Sequence, residues 1–533
     1  MPVFHKPPCD DGVIAGGPSA AATPASGRWV LVAAVLGSSM VFIDSSVVNV
    51  ALPTIQQDLE ASAAATQWTV ESYALSLAAL VLVGGALGDR FGRRRLFILG
   101  TVLFTLTSIW CGLAGDAATL IAARAAQGVA GALLTPTSLA LISASFADET
   151  ERGRAIGTWS GFTAITAAIG PVLGGWLVDN ASWRWIFFIN VPLAVAILVL
   201  AVTRVPESRD PAVGRIDWPG ALLTTVGLGA LVFGLIEAPA AGWTDPLVAA
   251  SLLVGVAALA GFVAVERRVS HPMMPLGLFR SRTFSGANLL TFFLYAALGG
   301  ALYFFPFLLI QVQGYGSTEA GAVLLPFVLL MFVLSRWSGG LIARFGAKLP
   351  LVVGPLIAAV GFGLFAIPGL GGGYWTTYFP AVVVLGIGMA ITVAPLTTAV
   401  MGAVDARRAG IASGINNSVA RTASLLAIAV LGIAVSVAFG SQLGSRLDGA
   451  ALDAETRAAM RDQADDLAAA EAPPGVDAAT RATIDGIVAR SFLAAFRIVM
   501  LIAAMLAIAS AVCAWLLVEG KPDRSGTPPR TTA

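Results

Sequence analysis

Three ionisable side chains lie inside stretches apolar enough to cross a bilayer: Asp44 in VFIDSSVVNV, Glu71 three residues after Trp68, and Arg124 at the head of RAAQGVAG. A charge at the centre of a membrane helix costs about 2.5–3.5 kcal/mol on insertion scales. Such groups persist where they pair or border water, and the chemistry open to them is ion pairing and proton exchange. Desolvation and a nearby guanidinium act in opposite directions on a carboxylate, so a helix movement that shifts Asp44 relative to Arg124 or to water swings its proton affinity. The plainer alternatives are a static ion pair for Asp44, a purely structural partner for Arg124, and an interfacial side chain for Glu71.

The rest of the chain explains why lipid surrounds these groups. Of 533 residues 57% are hydrophobic and 12% charged, and mean hydropathy is +0.83, whereas soluble domains carry about 25% charged residues. The net charge of +1 gives no footing for a nucleic-acid partner. Cys9, Cys111 and Cys513, with His5 and His271, are too scattered for a disulfide framework or a metal site. Residues 1–28 lack an apolar core and read as a disordered cytoplasmic tail.

A crossing helix needs about 20 mostly apolar residues, and this ruler predicts fourteen spans, the first near 29–51 and the last near 492–518. With the N-terminus inside, 22 of the 32 basic residues fall in cytoplasmic segments and six in external ones, five of those six in the long segment 440–490. The excess of Lys and Arg on one side fixes the orientation, with both termini cytoplasmic. On this topology Asp44, Arg124 and Glu71 lie at similar depth below the outer face, which predicts a shared polar site. Segment 440–490 reads as an external helical hairpin broken at Pro473-Pro474, either a solvated loop or a docking element for a periplasmic adaptor.

Residues 85–92, GALGDRFG, return as GGLIARFG at 339–346, each on a cytoplasmic turn. Eight spans separate the copies. The natural partition is a six-helix half (29–204), a two-helix insert (205–270) and a second six-helix half (271–519) with the external segment, followed by a tail at 520–533. In the first copy Gly85 and Gly92 permit a tight turn. Arg90, Arg93 and Arg94 anchor it on the inner face, and Asp89 can meet the positive end of another helix as a latch. The GPVLGG stretch places Pro171 to kink span 5, with Gly170, Gly174 and Gly175 allowing close helix packing.

GALGDRFGRRR resembles the loop signature of the major facilitator superfamily. DSSVVNVALP (44–53), RAAQGVAG (124–131), GPVLGG (170–175) and SWRWIFFINVP (182–192) are similar in particular to the QacA/EmrB-type fourteen-span drug/proton antiporters. In that family GPVLGG marks antiporters and not uptake symporters. The resemblance implies a monomeric exporter of amphipathic, cationic drugs in the plasma or inner membrane, driven by the proton gradient without a cofactor. An exporter of an endogenous amphiphile, lipid or self-made antibiotic fits the same residues. An embedded enzyme is disfavoured by the lack of HExxH, G-x-S-x-G and phosphate-loop motifs, and a non-transporting receptor by the intact Asp44, Arg124 and Asp89. Arg336 and Arg421 are expected nearer the cytoplasm, as interfacial or lipid-binding side chains.

Overall fold

The computed structural model describes residues 24–146, 148–209, 217–269, 272–405 and 408–520. Most of both expected tails lies outside these residues, and from Pro24 the chain is already helical. The described residues form helices and connections, with no strand. The first group comprises α1 (Pro24–Asp58), α2 (Ala63–Phe91), α3 (Arg93–Gly112), α4 (Ala117–Ser145), α5 (Glu149–Asn180), and the short α6 (Trp185–Phe188) leading into α7 (Asn190–Arg204). Next come α8 (Trp218–Ala241) and α9 (Pro246–Glu266). The last group opens with α10 (Arg282–Phe307), α11 (Ser317–Ala322), α12 (Leu325–Gly339), α13 (Leu341–Phe345) and α14 (Lys348–Phe365). It closes with α15 (Tyr374–Thr377), α16 (Phe379–Gly402), α17 (Ala409–Asp448), α18 (Ala454–Asp462) and α19 (Ala478–Leu517).

Among the described residues thirteen helices are long and apolar enough to cross a membrane, and α2, bent by 50° between Val81 and Val83, supplies a fourteenth. Each predicted span therefore finds its helix. Their starts carry the expected chemistry, with Ser62, Asp116, Asp245, Ser281 and Asp477 each accepting a bond from the first turn. Large apolar side chains such as Leu113, Leu253 and Trp515 are exposed on the outer surface, where lipid is their solvent.

In the first group α4 packs on α2 and α3, and α1 on α5; in the last, α10 packs on α17 and α19, and α14 on α16 and α19. Helices α8 and α9 lie on each other at the periphery, α8 reaching both α2 and α17. Only three residues of α9 are buried.

α17 and α19 hold 40 residues each, about 60 Å of helix against a hydrocarbon layer of about 30 Å. Their outer turns are the arms of the hairpin predicted in 440–490, and α18 bridges them. Met460, Leu467, Ile484 and Val488 are buried there, so this segment is a folded cap.

Candidate functional site

Asp44 on α1 has none of its surface exposed. Its Oδ2 accepts from Arg124 Nη1 at 2.6 Å, and its Oδ1 accepts from Gln127 Nε2 at 2.8 Å and Asn190 Nδ2 at 3.0 Å. Ser108 Oγ on α3 accepts from the same two amides at 2.8 and 3.1 Å. Arg124 also donates through Nε to the Thr69 carbonyl at 3.2 Å, and its guanidinium lies 4.1 Å from the centre of the Tyr73 ring. Gln127 follows Arg124 by three residues and so shares its face of α4. Gln127 and Asn190 went unnoticed as site residues, although both stand in the stretches RAAQGVAG and FINVP. Their signal was an amide inside an apolar run.

Glu71 does not join this network. Arg124 contacts Thr69 and Tyr73, and a residue two positions from each is turned by about 200° around the helix. Glu71 therefore faces the last helix group, with Tyr303 of α10 as its electrostatic neighbour. Both its oxygens are buried without a hydrogen-bond partner. The shared site predicted from depth thus unites Asp44 with Arg124 and leaves out Glu71, because depth fixes a level and not a face.

Beside the Asp44–Arg124 pair lies a cavity of about 140 Å³ between α1, α2, α4 and α17. Its polar walls are Ser45, Asn49, Tyr73, Arg124, Thr135 and Arg421, and its apolar walls include Phe42 and Leu77. Arg421, expected at an interface, instead borders this central cavity. The volume is below the roughly 300 Å³ of the smallest drug-sized pockets.

At the loop after α2, Asp89 pairs with Arg93 Nε at 2.7 Å within its own chain turn. The carboxylate that meets a helix start, predicted for Asp89, belongs to Glu207. Its Oε1 accepts from the Arg94 amide at 3.1 Å at the head of α3. Its Oε2 lies 3.7 Å from Arg95 Nε. Arg93 N and Arg94 Nη2 donate to the carbonyls of Ser208 and Val202 at 2.8 and 2.7 Å. Gly92 has φ +115°, and a Cβ there would stand 2.8 Å from the Glu207 carboxyl carbon. Gly85 only touches Pro136. In the second copy Gly346 also has positive φ, at +75°. The Arg90–Phe91 and Arg344–Phe345 pairs repeat as cation–π contacts at 5.5 and 5.1 Å.

The glycines of GPVLGG each meet a neighbour. A Cβ on Gly170 would lie 1.9 Å from Ser46 Oγ, and one on Gly174 would lie 3.0 Å from the Val47 Cα, so both seat α5 on α1. Gly175 faces the other way, where a Cβ would fall 2.2 Å from the Ser317 carbonyl oxygen of α11. Gly321 of α11 answers with the same 2.2 Å approach to the Pro171 carbonyl oxygen. Around this seam Asp179 accepts from the amides of Ser317 and Thr318 at 3.0 and 2.8 Å. Gln56 donates to the Asp466 carbonyl at 3.2 Å and accepts from Gln311 at 3.3 Å. The two helix groups are thus held shut at the end that carries the cap. Among the described residues no cluster of three or more His, Cys, Asp and Glu side chains could hold a metal.

The Major Facilitator Superfamily profile matches residues 34–428. The chain is 38% identical over 428 residues to the multidrug resistance protein Stp of Mycobacterium tuberculosis, covering 79% of this chain and 78% of that one. It is 36% identical over 513 residues, 94% of each chain, to the tetracenomycin C resistance and export protein of Streptomyces glaucescens. Against a puromycin resistance protein of Streptomyces alboniger the identity is 35%, over 76% of this chain and 80% of the other. In fold it is similar to a bacterial homolog of the human lysosomal transporter Spinster, solved in an inward-facing, unoccupied conformation, with a TM-score of 0.64 and 18% identity over 94% of this chain and 100% of that one.

Proposed function

Because the chain belongs to the major facilitator superfamily, a family of multi-pass membrane transporters and not of enzymes, we propose that it exports amphipathic, drug-like compounds across the plasma or inner membrane in exchange for protons. Relatives named for multidrug resistance, tetracenomycin C export and puromycin resistance support the direction and the kind of cargo. The observation that carries proton coupling is Asp44, a carboxylate buried at membrane depth and held by Arg124, Gln127 and Asn190.

With both termini placed in the cytoplasm, the shut end faces outward. Asp44 is paired in this state. Parting the helix groups at the outer end changes the distance or hydration of the pair and lets the carboxylate load a proton, which it gives up when the outer end closes and Arg124 returns. Each proton crossing is worth about 2.3 kcal/mol per 100 mV, so one or two sustain a steep cargo gradient. A cationic cargo follows only if a carboxylate faces the cavity, and neither Asp44 nor Glu71 lines it.

Purified protein in liposomes tests the reading. An imposed proton gradient should drive accumulation of an amphipathic dye and release protons stoichiometrically. Dye movement indifferent to the gradient would remove the coupling.

A further inference from the structure

The central cavity differs in charge from what three acidic or basic groups at one depth would give. Arg124 is neutralised by Asp44 at 2.6 Å. Arg421 enters from α17 and, among the described residues, makes no ion pair or hydrogen bond. The cavity wall holds no acid, and Tyr73 of α2 lies within electrostatic reach of Arg421. Two hydroxyls on the same wall are also unused: Tyr73 Oη, on a residue 3% exposed, and Thr135 Oγ1 of α4 are buried without partners.

We propose that this cavity is an anion site, and that the cargo carries a carboxylate or similar oxyanion beside an apolar body. The inference rests on the export reading and specifies its substrate class. A guanidinium offers planar paired donors that match a carboxylate, and a bond in which both partners are charged is about twice as strong as a neutral one. The Tyr73 and Thr135 hydroxyls supply further donors, while Phe42 and Leu77 offer an apolar flank. An ammonium group placed here meets the like charge of Arg421. Because Arg421 comes from the last helix group and Tyr73 and Thr135 from the first, one oxyanion ties the two groups together. The cavity takes a headgroup with a few waters in its present size, and the apolar body enters as the groups part.

Three fluorescent probes with one ring system test this: anthracene-9-carboxylate, 9-(aminomethyl)anthracene and 9-anthracenemethanol. Binding is measured to the full chain in nanodiscs of phosphatidylcholine. The carboxylate should bind at least about tenfold more tightly than the ammonium. Arg421→Met should erase that preference. Arg421→Lys, which keeps the charge without the fork, should retain part of it and guards against misfolding of the first variant. Tighter binding of the ammonium, no binding of the carboxylate, or a preference untouched in Arg421→Met overturns the anion site. Adding phosphatidylglycerol should not displace the carboxylate; displacement would make a lipid headgroup the occupant and overturn the cargo assignment. Proton-driven transport of the alcohol reads the export function separately. Transport with an ammonium preference removes only the anion site, and a carboxylate preference without transport removes only the export reading.

Discussion

Asp44 and Arg124 meet at 2.6 Å between α1 and α4, both buried, and Arg124 is also among the residues lining the cavity. The pair is therefore sealed in one polar network whose Arg124 edge adjoins the cavity. Anything that draws Arg124 toward the cavity leaves Asp44 with its two amide donors and no compensating charge. On the proposed exchange, Arg124 is the group through which proton affinity and cargo binding would be linked.

Removing one member of such a buried pair costs about 3–5 kcal/mol, because the other is left uncompensated. Arg124→Met should therefore lower the thermal midpoint strongly. Asp44→Asn keeps hydrogen-bonding groups toward Gln127 and Asn190 and should lower it less. The double variant should recover most of the loss, yet all three should lack proton-driven export. Unimpaired export by Asp44→Asn would show that the pair is only a strut.

The seam between α5 and α11 closes on backbone, not on flexible side chains. A Cβ at Gly175 or Gly321 would stand 2.2 Å from a carbonyl oxygen of the opposite helix, and neither oxygen can swing aside. Gly175→Ala and Gly321→Ala should therefore wedge this end open without unfolding either group. Spin labels at Ala181 and Glu319, in a cysteine-free background, should report a longer distance in both variants than in the parent. Gly170→Ala, which meets Ser46 Oγ, should leave that distance unchanged.

The cap has an acid response of two opposite signs. Partial burial, and then its neighbour Asp465, push Asp466 above the ordinary aspartate range. Its penalty is present at pH 7 and relieved as pH falls through the raised value. Asp453 and Asp477 are held below that range by bonds from the Thr456 and Thr480 amides and hydroxyls. Their contribution is full above about 3.8, the ordinary value, and is lost as pH falls through the lowered one. Asp466→Asn should thus raise the thermal midpoint at pH 7, with the gain shrinking toward pH 4, while Asp477→Ala lowers it at both. A gain from Asp466→Asn that does not change with pH would contradict this assignment.

Spans were legible because apolar length is a one-dimensional signal, and so was the level of Asp44 and Arg124, since each is a count of residues from a helix end. What a count cannot carry is azimuth. Glu71 shares their level and faces away, and Arg421 turns inward toward the cavity, both decided by how α2 and α17 are rotated in the bundle. Glu207 was invisible for another reason. It acts across 113 residues on the Arg94 amide, whereas Asp89, the acid adjacent in sequence, satisfies itself with Arg93. The glycines of GPVLGG were legible as packing residues but not as a seam with α11, because that partner lies beyond the insert.

Glu71 gives the sharpest separation between structural and functional roles. Both of its oxygens lack partners in this closed state, so the side chain contributes no hydrogen bond that a replacement would break. It stands on the face of α2 shared by Gln67, which abuts Gly432 of α17, and so on the surface between α2 and the last helix group. Glu71→Gln keeps the shape and removes the titration. It should leave the thermal midpoint unchanged or slightly higher, because a buried acid without partners is costly. If Glu71 exchanges a proton as its surface is wetted, the variant should transport neutral cargo with fewer protons per molecule and a flatter pH profile. An unchanged stoichiometry and profile would leave Asp44 as the coupling acid and reduce Glu71 to a filler of the interface.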